Sequence, residues 1–191
     1  MKVLKWIAIV VVVLIVLFVV VGLLLPSEID VERSVVVNTE PERVHRLVGD
    51  LTAWDDWTPF NEMDETIEVT YGDKTSGVGA SQTWTDKSGG GELTITEWDP
   101  EGGIAYDVSF AGTAPMTSVM RYEVVADGTR VTWDLKGDIP GVMGGYLALV
   151  IPAGVGPMYD MGLQKLKAQA EALEPLPVVP EEIIEAEIVE E

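Results

Sequence analysis

The chain of 191 residues has no cysteine and a single histidine, His45. The first absence removes disulfides, thiolate nucleophiles and thiolate metal ligands together. The second rules out a histidine-rich metal site and leaves any Ser-His-Asp arrangement with one candidate base. Oxygen ligands for Ca²⁺ or Mg²⁺ remain available. Neither WDPEGG at 98–103 nor any other run has the spaced-aspartate pattern of a calcium loop, so no metal or other cofactor is expected. Basic residues are scarce too, 12 against 32 acidic ones, for a formal net charge of −20. Lys2 and Lys5 precede residue 27 and every acidic residue follows it, which leaves −22 on the remainder. Such a surface repels nucleic acid, and it has no Lys/Arg cluster of the kind that binds anionic lipid headgroups. The acidity itself reads as a solvated, aggregation-resistant exterior.

What the chain does have is one long apolar run, WIAIVVVVLIVLFVVVGLLL at 6–25. At about 1.5 Å per helical residue it spans roughly 30 Å, the thickness of a bilayer's hydrocarbon core. Its β-branched residues are mediocre helix formers in water, but lipid leaves a segment no other way to satisfy its backbone. A cleaved secretory signal is the rival reading, since Lys2 and Lys5 form a basic start. The run exceeds the ~7 to 15 residues of a signal's apolar region, and no A-x-A-like site follows Leu25, so residues 1–26 are read as an uncleaved anchor. Two lysines before the run and Glu28, Asp30 and Glu32 after it place the N-terminus in the cytoplasm and the remainder outside, as a single-pass membrane protein.

Pro26 and Ser27 form a short linker reaching roughly 10 Å, so the domain beyond it must sit close to the membrane surface. Residues 29–37 alternate as a strand, with Asn38 or Thr39 available to cap a helix that begins near Pro41 and carries Val44, Leu47, Val48 and Leu51 on one face. A short helical segment at 51–60 sets Trp54 and Trp57 three apart. Strands are expected at 66–71, 78–85, 91–98, 103–110, 116–125 and 129–136, joined by turns such as KSGGG, DPEG and ADG into an antiparallel meander. A closing helix is expected after Pro157, with Met158, Met161, Leu163, Leu166, Ala170 and Leu173 in its pattern. Residues 141–156 carry no charge and read either as a lid or as a buried first half of that helix. The Pro- and Glu-rich tail at 175–191 reads as disordered. Residues 27–174 make one α+β domain.

The order of strand, short helices, long meander and long C-terminal helix resembles the helix-grip fold of the START-like or SRPBCC superfamily. VERSVVVNTEPERVHRLVGDLTAWDDWTPF at 31–60 is similar to its polyketide cyclase/dehydrase branch, supported by GVGASQTW at 77–84, LTITEWDP at 93–100, GTRVTWDL at 128–135 and GLQKLKAQAE at 162–171. The resemblance covers residues 28 to about 174 and implies a curved sheet gripping the C-terminal helix around a hydrophobic cavity. It does not imply one activity, because members bind diverse ligands. His45 departs from the pattern, standing where such a helix usually carries a large apolar residue.

Strand alternation points Leu93, Ile95 and Glu97 to one face, and likewise Tyr106, Val108 and Phe110, and Val131, Trp133 and Leu135. If these faces are concave, the cavity is lined by Trp84, Tyr106, Met120, Trp133 and Met158. Trp54 and Trp57 either join it at the mouth, pin the short helices to the sheet, or anchor at the membrane interface. Tyr146, in the uncharged stretch that could form a lid, is expected at the cavity as well. Glu97 would have a raised pKa if buried beside Leu93 and Ile95, the alternative being a strand end in solvent. His45 is either a general base or a residue at the border of an apolar stripe. The leading expectation is a membrane-anchored protein that holds a hydrophobic or amphipathic molecule, lipid- or polyketide-like. The alternatives are a cyclase or dehydratase using Glu97 or His45, and a non-catalytic envelope interaction module using the acidic tail.

Overall fold

A computed structural model describes residues 2–87, 89–111 and 114–175. The apolar run is helical as expected, forming α1 (Lys2–Leu24), and its side chains point outward almost throughout. β1 (Glu28–Val37) leads to α2 (Pro41–Val48), a 3-10 turn at Leu51–Ala53, α3 (Trp54–Trp57) and α4 (Phe60–Met63). Six strands follow: β2 (Glu68–Tyr71), β3 (Ser81–Thr85), β4 (Gly91–Asp99), β5 (Gly103–Phe110), β6 (Met116–Val125) and β7 (Gly128–Asp138). α5 (Val142–Ala172) closes the fold.

The sheet has seven strands in the order β1-β7-β6-β5-β4-β3-β2, all antiparallel. The meander of β2 to β7 is completed by the first strand returning beside the last, with Val31 opposite Leu135 and Val35 opposite Val131. Alternation decides which face is core: Val131, Trp133 and Leu135 of β7 are buried on the side that faces α5. This is a helix-grip architecture of α+β class.

α5 lies over that face and along the β1 edge. Lys167 donates to the backbone carbonyl of Val36 at 2.6 Å, and the Asn38 backbone N–H donates to Glu171 at 2.8 Å. Arg33 pairs with Asp160 at 3.2 Å. These contacts cover an edge that would otherwise present open backbone groups. At Gly162 the helix comes so near Trp133 that an added Cβ would stand 3.0 Å from the indole.

Two local expectations need correction. The helix does not begin at Pro157. It starts fifteen residues earlier, at Val142, and both Pro152 and Pro157 lie inside it. The uncharged stretch 141–156 is thus the first half of α5, although it is largely unburied. Nor does Asn38 or Thr39 cap α2. Glu40 holds the N-cap position without a side-chain bond to the helix, Thr39 bonds the Glu40 carboxylate instead, and Pro41 removes one of the N–H groups a cap would serve.

The other end of α2 is closed by tryptophans. Trp57 donates its indole N–H to Leu47 O at 3.0 Å, Trp54 to Val48 O at 2.9 Å and Trp98 to Gly49 O at 3.0 Å. Three consecutive carbonyls left over at a helix C-terminus are therefore satisfied by indoles, two of which, Trp54 and Trp57, also fill the core. Trp57, fully buried, packs its ring against both Trp54 and Trp133, with centroids 5.4 Å apart in each pair. Trp57→Ala should accordingly lower stability by about 3 to 5 kcal/mol, and Trp57→Phe, which keeps the ring but orphans Leu47 O, by about 1 to 3 kcal/mol. Denaturant unfolding followed by far-UV circular dichroism would measure both.

Candidate functional site

Between the sheet and α5 lies a cavity of about 510 Å³. β7 supplies Trp133 and Leu135, β5 supplies Tyr106, Val108 and Phe110, and β4 and β3 supply Leu93, Gln82 and Trp84. α5 closes the opposite side with Leu147, Ile151, Val155 and Met158, spaced four, four and three residues apart on one helical face. Trp54, Phe60, Ile67 and Val69 complete the walls. A volume of this size with apolar and aromatic walls belongs to the class that encloses small organic ligands.

One buried polar cluster touches the cavity. The Trp133 indole N–H donates to the Tyr106 hydroxyl at 2.9 Å and to Ser118 Oγ at 3.1 Å, and the Ser118 hydroxyl donates to Asp134 O. The Tyr159 hydroxyl is hydrogen-bonded into the same group, while its ring stacks on Trp133 at 3.8 Å between centroids and 7° between planes. Burial pushes Tyr106 up to about 12 and Tyr159 well above its ordinary value. Both phenols stay protonated near neutrality, so they act as hydrogen-bonding groups and not as bases. Asp55 and Asp86 are the acidic members of the lining, with Asp55 accepting from Asn61 at 3.1 Å and Asp86 from the Gly90 N–H at 3.1 Å.

The cavity brings together Trp54, Trp84, Tyr106, Trp133 and Met158. Trp57 and Met120 are not among the lining residues and sit fully buried in the core. Tyr146 points away from the cavity, stacking on Phe18 of α1 at 4.6 Å and donating to Phe18 O at 2.8 Å. Glu97 is exposed, against the strand's simple alternation. The cause is a bulge: Ile95 pairs with Tyr106 but Glu97 with Ala105, so Thr96 is an extra residue that reverses the facing of everything after it. Trp98, not Glu97, turns toward α2. There it meets His45 edge-on, at 4.5 Å between centroids, with Tyr122 on the other side at 6.0 Å. His45 is buried in this aromatic pocket, away from the cavity lining.

Sequence reasoning missed Val155 and Tyr159, and placed Leu147 and Ile151 only as apolar surface of a possible lid. Their spacing with Met158 was readable, but only by extending the helical period back through Pro157 and Pro152. Ser118 carried no signal, as an unremarked polar position in an alternating strand.

With this geometry in hand, comparison with known proteins places the chain. The family described as polyketide cyclase / dehydrase and lipid transport matches residues 28–171. The chain belongs to that family. No curated protein matches it. Among solved structures, it is similar to protein CV1439 from Chromobacterium violaceum, at 19% identity and TM-score 0.56 over 75% of this chain and 98% of that one. TTHA0849 from Thermus thermophilus is similar at 21% identity and TM-score 0.54, over 76% and 97%. DynU16, from the dynemicin biosynthetic locus, is similar at 17% identity and TM-score 0.53, over 75% of this chain and 47% of its own. At these identities the likeness shows the fold.

His45 generates a prediction about stability. Burial, opposed in part by Asp99, holds its pKa below the usual 6.5. The folded chain then binds fewer protons than the unfolded one, so stability is full above about pH 6.5 and declines as pH falls through that value toward the folded pKa. Asp50 and Glu171, whose pKa values are also lowered, lose their contributions only at more acidic pH, below 3.8 and 4.5. Thermal unfolding between pH 7.5 and 5.5 should show a slope of at most about 1.4 kcal/mol per pH unit that disappears in His45→Gln. An unchanged slope in the variant would show that another group carries it.

Proposed function

We propose that this is a membrane-anchored binding protein that holds a hydrophobic or amphipathic small molecule, lipid- or polyketide-like, between its sheet and α5. The observation that carries the reading is the cavity itself: about 510 Å³, walled by Trp84, Val108, Phe110, Leu147 and Ile151, with the polar cluster around Trp133 already hydrogen-bonded among its own members. Walls of this kind reward burial of apolar surface and ask little of a ligand's polar groups.

Anchoring by α1 is part of the proposal, supported by how the helix meets the domain. Gly22 lies so close to α5 that an added Cβ would stand 2.3 Å from Val142 O, and Tyr146 engages both the ring and the carbonyl of Phe18. A fit of this kind suits a helix retained beside the domain more than a signal removed from it. Lys2 and Lys5 would remain cytoplasmic, with the domain on the opposite side of the bilayer.

The cyclase or dehydratase alternative draws on the family description and on the biosynthetic locus of DynU16. It asks for proton-transfer groups in the cavity; Glu97 and His45 are not among its lining residues, which leaves that role to the carboxylates that are, Asp55 and Asp86. The interaction module built on residues 175–191 lies outside the described residues apart from Pro175.

Full-length protein extracted from its own membrane in mild detergent should carry an apolar small molecule detectable by native mass spectrometry. Val155→Trp, which fills the cavity from the α5 side, should remove that added mass while leaving the circular dichroism unchanged. A wild-type protein that carries nothing, and takes up no fatty alcohol or sterol when offered, would overturn the proposal.

A further inference from the structure

The first half of α5 is apolar on every side, and the cavity accounts for only one of them. Leu147, Ile151 and Val155 face the cavity. Leu149 stands on the opposite side of the helix and is 63% exposed, while Val150 at 66% and Met143 at 53% are exposed along the edge beside Leu147. No charged residue occurs between Asp138 and Asp160. A helix that closes a cavity against water carries a polar outer stripe, and one that is hydrophobic all round is surrounded by apolar material. Among the described residues, nothing covers that outer side beyond the last turns of α1.

The contact with α1 says what does. The apolar run at 6–25 matches a bilayer's hydrocarbon thickness, which leaves little freedom for the helix to slide along the membrane normal. Phe18 stands seven residues, about 10 Å, inside the end of that run at Leu25. Tyr146 stacks on the Phe18 ring and donates to its carbonyl, Gly22 abuts Val142, and Gly145 packs beside Leu25. The opening turns of α5 are thereby held at the level of α1's outer third. Tyr146 is also the residue type that favours the boundary between acyl chains and headgroups.

We infer that the outer face of residues 142–155 of α5, centred on Leu149, is seated in the outer boundary of the bilayer beside α1. The inference rests on the proposed anchoring by α1. The bilayer contact is apolar, at the depth of about 5 to 10 Å usual for interfacial helices, and needs no basic residue. One helix then separates the cavity from lipid. The ligand class follows: a molecule dissolved in the bilayer, which reaches the cavity past Leu147 and Ile151 without entering water.

The absence of cysteine makes the test direct. Three single-cysteine variants of the full chain, Leu149→Cys, Val12→Cys in the middle of α1, and Val124→Cys, whose parent residue is 74% exposed on β6, are labelled with an environment-sensitive nitrobenzoxadiazole. They are then reconstituted in phosphatidylcholine vesicles with or without 5-doxyl phosphatidylcholine. The expected result is that the Leu149 label is quenched by the doxyl lipid several-fold more strongly than the Val124 label and is shielded from aqueous iodide, with Val12 also shielded. If Leu149 is as open to iodide as Val124 while Val12 stays shielded, the inference fails and the anchoring reading stands. If Val12 is open to iodide, both fall.

Discussion

Trp133 is the point at which the sheet, the short helices and α5 become one structure. Its indole stacks on Tyr159 of α5, meets Trp57 of α3 edge-on, and donates to Ser118 on the adjacent strand β6 and to Tyr106 on β5 beyond it. The stack needs close approach, which Gly162 permits one turn beyond Tyr159. The hydrogen bonds need the hydroxyls of Tyr106 and Ser118 at adjacent sites across the sheet, and antiparallel pairing supplies both, with Tyr106 opposite Ser118 in register. Because stacking, edge contact and two hydrogen bonds hold the indole, this end of the space between sheet and helix is tightly packed. The cavity begins where the packing stops, along the stretch of α5 that precedes Tyr159.

That division explains how the tryptophans are used. Trp54, Trp57 and Trp98 spend their N–H groups on three successive carbonyls at the end of α2, and Trp133 on two hydroxyls. Tryptophans so committed fix the frame, even where a face, as with Trp54 and Trp133, is left open to the cavity. Trp84 differs. It is half-buried on β3 near the free side of the sheet, packs against Phe110 at 5.6 Å, and presents area to the cavity. The cavity thus runs from a rigid inner end to a wall built from a short strand, β3, and the first half of a proline-interrupted helix.

Much of this was legible in the residues. Period-two alternation located all seven strands to within a few residues, because a sheet with one buried face imposes that period everywhere except at bulges. Thr96 is the exception, and nothing local announces it. The bulge is set by pairing with β5, and pairing lies outside what one strand's sequence encodes. The start of α5 was only half legible, as one of two readings of residues 141–156, for another reason. Helices are recognised by contrast between faces, and a segment that is apolar toward the cavity and apolar outward has no contrast to detect. Pro152 and Pro157 then read as boundaries, although α5 runs through both without the backbone bonds to Ala148 O and Ala153 O.

The same lack of contrast joins the anchor to the cavity. Under the proposed anchoring, a chain carrying −22 beyond residue 27 would be repelled by anionic lipid, so charge would hold most of its surface off the membrane. Residues 139–159 are the longest part of that domain on which this repulsion does not act, and they are the part that touches α1. An acidic body with one uncharged flank has a single favourable orientation beside a bilayer, and the Gly22–Val142 and Phe18–Tyr146 contacts lock α1 onto that flank. If α1 anchors the chain as proposed, repulsion elsewhere and apolar contact here act in the same sense: together they would turn the α5 wall of the cavity toward lipid.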